Sequence, residues 1–555
     1  GRVSTIVRAT RYHRADAPSG PAPAADTNSA AGNLWNGAGF ALVVVDARGT
    51  GASFGARAGE LGEREIDDYG EVIAWVAAQP WSNGRVGVYG TSYEGQAAEL
   101  VARLRNPHLL AVAALFSPLD PYRQLFYPGG SATEGRFARW MGESQLKDGV
   151  VGALERLAAL TGRPPETIRR PSPAKPVDGP EGQALLEEAI GEHQANTDVG
   201  ALMSRVPFRD DRVAGLDWEA TAPASSQAAI ESTGVPMLVR AGWLDGAFAA
   251  GALVRFATFS NHQEVEIGPW GHGGETFADP LCPGGGLDAD ESSPEGQDRR
   301  LVEFFSRYLQ RDERPEGHGT MRFSTLGTGR WQTVSSWPPE GLTVRRWYPG
   351  ATGGLTETAG PAEVVRCAVD PTASSGVTNR WLAIDLGQAP AYPDRRIADE
   401  VLRTFTTARF PADLHVLGFP LVSLRLATSG SDGAVYVYLE DIDPDGEVTY
   451  LTEGCLRFLH RQTSGPAEPA RLGVPRTFSR ADALPVGPGQ YLDLPVELLP
   501  VSALLRAGHQ ARVAIAGHDA ACFARYGPGE ETFTLELGEH TYVDLPVVDS
   551  PPRPA

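Results

Sequence analysis

The sequence predicts an α/β fold on a parallel sheet, interrupted by a helical insertion and followed by an all-β sandwich of jelly-roll type. Three observations carry this. Short β-branched runs alternate with helix-period segments over residues 1–118. The alternation stops over 119–231 and resumes over 232–318. Beyond 319 the helix period fades into short β-rich segments separated by Gly, Pro and Asp turns. At 555 residues the chain is too long for one ordinary core, so several domains are expected.

The first residues, GRVSTIVRATRY, start abruptly in a strand pattern, which suggests that an upstream segment is missing. FALVVVD (40–46) is a continuous run of buried-strand type, and Ile66, Tyr69, Ile73 and Val76 then recur at helical spacing over 63–79. RVGVYG (85–90), GQAAELVARL (95–104) and LLAVAALF (109–116) read as strand, helix and strand. The insertion opens on aromatic-rich loops such as PYRQLFYPGG and continues in amphipathic pieces such as ALLEEAIGEH. VPMLVRAG (235–242) and EVEIGPW (264–270) restore the strands, and RRLVEFFSRYLQ (299–310) closes the block. The β-rich remainder includes RFSTL, LVSLRLAT, AVYVYLEDI, ARVAIAG and TFTLEL, and ends in a proline-rich tail, DSPPRPA.

Composition excludes several function classes. A formal charge of −20 with no offsetting run of basic residues argues against a nucleic-acid partner. No apolar stretch approaches the ~18 residues that membrane embedding requires. The four cysteines, Cys282, Cys367, Cys455 and Cys522, form no C-x-x-C pair, which removes zinc and redox motifs but leaves one or two long-range disulfides open. The N-terminal residues lack signal-peptide character, and both a cytoplasmic and an exported location in a bacterium remain compatible.

Chemistry concentrates in GVYGTSYEGQAAEL (87–100). Ser92 lies between a strand and a helix, bracketed by Gly90 and Gly95, which is the strand-turn-helix context of a nucleophile elbow. Such a turn aims the hydroxyl out of the sheet and sets the Tyr93 N–H where it can meet an oxyanion. A structural or phosphate-binding Gly/Ser turn is the alternative for this segment alone. A serine hydroxyl needs a base and an orienting carboxylate. AGWLDG places Asp245 just past one strand and GPWGHGG places His272 just past the next, at the strand ends where open α/β sheets carry their sites. The chain order Ser, Asp, His is that of α/β-hydrolases. An Asp after a strand is otherwise a common turn former, and a His among glycines is otherwise simply exposed. DARGTGASFG (46–55) lacks both G-x-G-x-x-G and a P-loop lysine, and reads as a structural turn in which Arg48 and Asp46 pair locally.

GTSYEG, preceded by DARGTGASFG and QPWSNGRVGVYG and followed by AGWLDG and GPWGHG, closely resembles the bacterial serine hydrolases that include cocaine esterase, the α-amino-acid ester hydrolases, glutaryl-cephalosporin acylase-like enzymes and X-prolyl dipeptidyl-peptidase. RFSTLGTGRWQTVSSWPP, DIDPDGEVTYLTEGCLR and AGHQARVAIAG resemble that family's C-terminal jelly roll, so nearly the whole chain is covered. The resemblance implies an α/β-hydrolase domain (1–118 and 232–318), a helical cap domain (119–231) and a C-terminal jelly-roll β-sandwich (319–555). It also implies a second oxyanion donor: the family uses a tyrosine hydroxyl in a motif like R-T-P-Y, and VRATRYHR aligns Tyr12 with it. Arg11 stands where the family usually has proline. The family usually has strands before this motif, in keeping with a missing upstream segment.

The expected activity is that of a serine hydrolase cleaving carboxylic esters, or amides, through an acyl-enzyme, with no metal or organic cofactor implied. An X-prolyl dipeptidyl-peptidase or β-lactam acylase is the alternative enzyme, and a non-catalytic ligand-binding protein the alternative from another class. The amino-ester hydrolases carry acidic residues two and three positions after the triad aspartate; here those positions are Ala247 and Phe248, which argues against an aminoacyl substrate. Tyr122, Phe126, Tyr127, Phe137 and Trp140 can line an aromatic pocket or form the cap's own core. Trp243 and Trp270, beside Asp245 and His272, are candidate walls with packing as their alternative, and Phe248 is a further apolar candidate. The expected partner is a small ester or amide, and a homo-oligomer is compatible with the sequence.

Overall fold

The computed structural model describes residues 1–17, 29–283, 289–468, 472–527 and 532–548, so the proline-rich tail lies outside the described residues. Eight strands build the first sheet: β1 (Val3–Thr10), β2 (Ala41–Asp46), β3 (Ser82–Thr91), β4 (Leu109–Leu115), β5 (Met237–Gly242), β6 (Gln263–Gly268), β7 (Gly319–Thr325) and β8 (Arg330–Val334). Their order is β8-β7-β6-β5-β4-β3-β1-β2, and every neighbour is parallel except β8 on β7. The chain runs from β1 outward to β2 and then crosses back to β3, which opens a crevice at the carboxyl ends of the central strands.

Helices cover both faces of this sheet, as parallel strands require. On one side Glu63–Ala77 buries Ile66, Tyr69, Ile73 and Val76, and beside it Tyr93–Val101 is buried at every residue. On the other, Phe304, Phe305 and Leu309 of helix Pro294–Leu309 pack with Trp35 and Tyr89. FALVVVD departs from the sequence reading: its strand β2 is the sheet's edge, so residues 41–45 are only half-buried despite their continuous apolar run.

RFSTL also falls elsewhere than expected. It belongs to β7, which pairs in parallel with β6, so the first sheet continues to residue 334, beyond the boundary anticipated at 318. Its short β-rich run suits either location. Met321, Phe323 and Leu326 share one apolar cluster with Val416 and Val501 of the following domain, so the two cores merge at this point. The Leu326 N–H donates to the Ser502 carbonyl at 2.8 Å across the same junction.

Residues 342–548 form a β-sandwich whose two sheets share the strand Leu342–Pro349. Val416, Leu424, Val437, Leu439, Val513 and Leu545 lie in its core. The insertion carries the helices Glu134–Lys147, Ala153–Thr161 and Gly182–His193, and its aromatic centre takes in Phe478 from the sandwich. The four cysteines form no disulfide; the Cys455 thiol instead donates to the Pro128 carbonyl at 3.0 Å, joining sandwich to insertion. The glycine-rich turn after β2 is also wired differently from expectation. Arg48 pairs with Asp68 on helix Glu63–Ala77, while Asp46 accepts the backbone amides of Arg14 and Ala52. No helix among the described residues is long and apolar enough to cross a membrane.

Candidate active site

Ser92 occupies the single-residue joint between β3 and helix Tyr93–Val101, with φ +62° and ψ −122°. A non-glycine residue in such a conformation costs about 1–3 kcal/mol and persists only where its surroundings impose it. Here the Ser92 N–H donates to the Leu115 carbonyl of β4 at 2.9 Å, and its carbonyl accepts the Gln96 N–H at 2.9 Å. The flanking glycines have a steric reason. A Cβ at residue 90 would lie 2.3 Å from the Glu94 Cβ, and one at 95 within 3.0 Å of the Gly90 and Leu115 backbones. Gly95→Ala should therefore force helix and strand apart, losing about 1–3 kcal/mol of stability and displacing Ser92. Denaturant unfolding and turnover measured on one preparation would show both losses together.

Asp245 follows β5 and His272 follows β6. A close approach brings them together: the Trp243 N–H donates to the Gly268 carbonyl at 3.0 Å, and a Cβ at Gly242 would sit 2.0 Å from the Trp270 carbonyl. His272 Nδ1 then lies 3.0 Å from both carboxylate oxygens of Asp245. The Asp245 side chain is fully buried and that of His272 is 15% exposed, so one end of the pair faces the protein and the other a cavity. Phe248 and Phe116 flank the imidazole at ring separations of 5.7 and 6.5 Å. Arg380 of the sandwich holds the Asp245 turn from behind, donating to the carbonyls of Gly246 and Trp243.

Tyr12, in the turn after β1, lies edge-on to Tyr93 at 6.1 Å, and its hydroxyl accepts the Trp140 indole N–H at 3.2 Å. Burial pushes the Tyr12 phenol up to about 12, so it stays a neutral O–H donor through the whole neutral range. Arg11, at the family's proline position, explains how the turn keeps its shape: it pairs with Glu60 and with Asp148 of the insertion, and its guanidinium lies over Trp140. The Tyr93 hydroxyl donates to Glu65, which also accepts from Tyr69 at 2.7 Å, so the residue after Ser92 is tied down at its side chain.

Ser92, Tyr93, Tyr12 and His272 line one cavity of about 400 Å³. Of the aromatic candidates, Phe126, Phe137 and Trp140 also line it. Trp243, Trp270 and Tyr127 do not: each is buried and spends its polar atom on a backbone carbonyl, of Ser324, Ser292 and Met203 respectively. Phe248 is not on the cavity wall either and only backs the imidazole. The cavity adds residues that the sequence did not single out, among them Arg136 of the insertion and Ile384 and Asp385 of the sandwich. No local pattern marks the last two, because a segment nearly three hundred residues beyond Ser92 is brought there only by domain packing.

Comparison with known proteins assigns the chain to a family. Residues 1–274 match the family model for X-Pro dipeptidyl-peptidase (S15 family), and residues 308–543 match the model for the X-Pro dipeptidyl-peptidase C-terminal non-catalytic domain. A candidate serine esterase of Mycobacterium bovis is 34% identical over 548 residues, covering 92% of this chain and 83% of the relative. Cocaine esterase of Rhodococcus sp. (strain MB1 Bresler) is 24% identical over 527 residues, covering 89% of this chain and 82% of that enzyme. The crystal structure of a CocE/NonD family hydrolase from Staphylococcus aureus superposes with a TM-score of 0.69 at 17% identity, covering 99% of this chain and 89% of that one. The chain therefore belongs to the S15 family of serine hydrolases named for X-Pro dipeptidyl-peptidase, with cocaine esterase among its relatives.

Proposed function

We propose that Ser92, His272 and Asp245 are the catalytic triad of an esterase that works through an acyl-enzyme. The observation that carries this reading is the bidentate 3.0 Å contact of His272 with a fully buried carboxylate, in the wall of the cavity that Ser92 also lines. Ser92 Oγ attacks the carbonyl carbon while His272 Nε2 takes its proton, and the imidazolium returns that proton to the departing alcohol. Asp245 fixes the tautomer that leaves Nε2 free to accept. A water activated by the same imidazole then releases the acid.

In this reading the Tyr93 N–H and the Tyr12 hydroxyl stabilise the tetrahedral oxyanion. Tyr12→Phe should lower kcat by roughly 10²–10³-fold with little change in KM, since its hydrogen bond strengthens only as charge develops. With the phenol held near 12, wild-type activity should show no loss from Tyr12 ionisation up to about pH 10. A pH–rate profile of both proteins checks this.

The cavity's charges favour esters over aminoacyl substrates. Ala247 and Phe248 offer no carboxylate, and the acids on the wall already have cationic partners: Glu60 has Arg11 and Arg57, Glu94 has Arg8, Glu143 has Arg139, and Asp385 has Arg136. A substrate ammonium would find no spare counter-charge. A panel of p-nitrophenyl esters of increasing acyl length, run beside aminoacyl p-nitroanilides and a cephalosporin, tests the reading. Faster turnover of the esters is expected, and a preference for the aminoacyl or β-lactam compounds would overturn it.

A further inference from the structure

Arg136, on the insertion helix Glu134–Lys147, and Asp385, on the sandwich turn Ala383–Leu386, meet in the cavity wall. Arg136 Nη2 donates to Asp385 Oδ1 at 3.1 Å, and the side chains are only 4% and 7% exposed. The pair is incomplete. Arg136 Nε and Nη1 and Asp385 Oδ2 are buried with no hydrogen-bond partner. A guanidinium has five N–H donors and a carboxylate about four acceptor sites, so one contact leaves most of their capacity unused. Orphaned buried atoms of this kind carry a desolvation cost that a bound group could offset. Among the described carboxylates of this cavity, Asp385 alone keeps a buried oxygen without a partner.

We propose that Arg136 and Asp385 form a substrate subsite for a neutral group that both donates and accepts hydrogen bonds, a hydroxyl or a carboxamide carried by the ester. Arg136 donates to that group's oxygen, and Asp385 accepts its hydrogen. Charge selects neutrality: an ammonium would be repelled by Arg136 and a carboxylate by Asp385. Phe126, Phe137 and Ile384 on the same wall leave the rest of the substrate an apolar environment. The domain whose family model is called non-catalytic would then supply part of the substrate specificity. This inference rests on Ser92 and His272 being the reacting pair, and its test separates the two ideas.

Two matched sets of esters decide it, one per side of the scissile bond: p-nitrophenyl hexanoate against its 3-hydroxy and 6-hydroxy analogues, and benzyl butyrate against 4-(hydroxymethyl)benzyl butyrate. In one set the wild type should favour a hydroxylated ester in kcat/KM by roughly 10- to 100-fold, the size of a hydrogen bond to a charged group. Asp385→Asn, which keeps one acceptor oxygen for Arg136 and replaces the other by an N–H donor, should erase most of that preference. Arg136→Leu with Asp385→Leu replaces the pair by apolar side chains, so it keeps the wall packed if the single variant folds poorly. It should bring the ratio near one and raise turnover of the plain ester. Calorimetry on Ser92→Ala with the same compounds reads binding without chemistry. Tighter binding of a hydroxylated compound with no wild-type turnover of any ester would remove the esterase reading and leave the subsite standing. Turnover without preference in either set, or a preference that the double variant retains, would mean that the pair only clamps insertion to sandwich, and the proposal would be overturned.

Discussion

Ser92→Ala should lower kcat on a p-nitrophenyl ester by roughly 10⁶-fold, while KM stays within a few-fold of wild type. The asymmetry follows from the geometry. The hydroxyl supplies the bond-forming atom, but the cavity walls, including Phe126 and Trp140, do not depend on it. The backbone bonds that hold residue 92 at φ +62°, from its N–H to Leu115 and from Gln96 to its carbonyl, are equally available to alanine. The fold should therefore survive, with unchanged circular dichroism and a melting temperature within a few degrees. A large loss of stability would mean that the residue is mainly a structural turn. The activity that remains should reflect binding and the oxyanion donors alone.

Asp245→Asn should reduce kcat by about 10⁴-fold. His272 Nδ1 contacts both oxygens of Asp245, so the carboxylate dictates which ring nitrogen carries the proton. An asparagine can present its amide N–H to Nδ1 instead, which places the imidazole proton on Nε2 and leaves nothing to accept from Ser92. The carboxylate also balances the imidazolium in the transition state, in a site where Asp245 is fully buried and water cannot substitute for it. Because Arg380 and the Trp243–Gly268 contact hold the Asp245 turn through main-chain atoms, the substitution should leave the turn in place. Steady-state kinetics with a melting curve separates lost chemistry from lost fold. A decrease of less than tenfold would show that the aspartate is not the orienting group.

What the sequence reveals here depends on how local the controlling physics is. The turn around Ser92 is legible because its constraint lies within a few residues: a strand must end and a helix begin without Cβ atoms at 90 and 95. The strand ends carrying Asp245 and His272 are legible for the same reason, since period and turn chemistry mark them. Tyr12 is accessible only by resemblance, as no local rule distinguishes a phenol in that turn from a packed one. Burial is harder to read. The apolar run of β2 suits a central strand, yet strand order places it at the edge. RFSTL is as short and β-rich as a sandwich strand, and only its pairing with β6 assigns it to the first sheet. The tryptophans beside Asp245 and His272 illustrate the remaining gap. Adjacency in sequence does not show which way a ring turns, and Trp243 and Trp270 turn inward to backbone acceptors. Asp385 is the opposite case, distant in sequence and on the same cavity wall as Ser92 only because three parts of the chain converge there.

The central claim is that Ser92 is an activated nucleophile, and covalent labelling tests it most directly. A fluorophosphonate incubated with the folded protein should add one phosphonyl group, and peptide mapping should place it on the peptide containing GTSYEG at Ser92. His272→Ala should label far more slowly, since the hydroxyl then lacks its base. Labelling at another serine, or none on folded wild-type protein, would contradict the account.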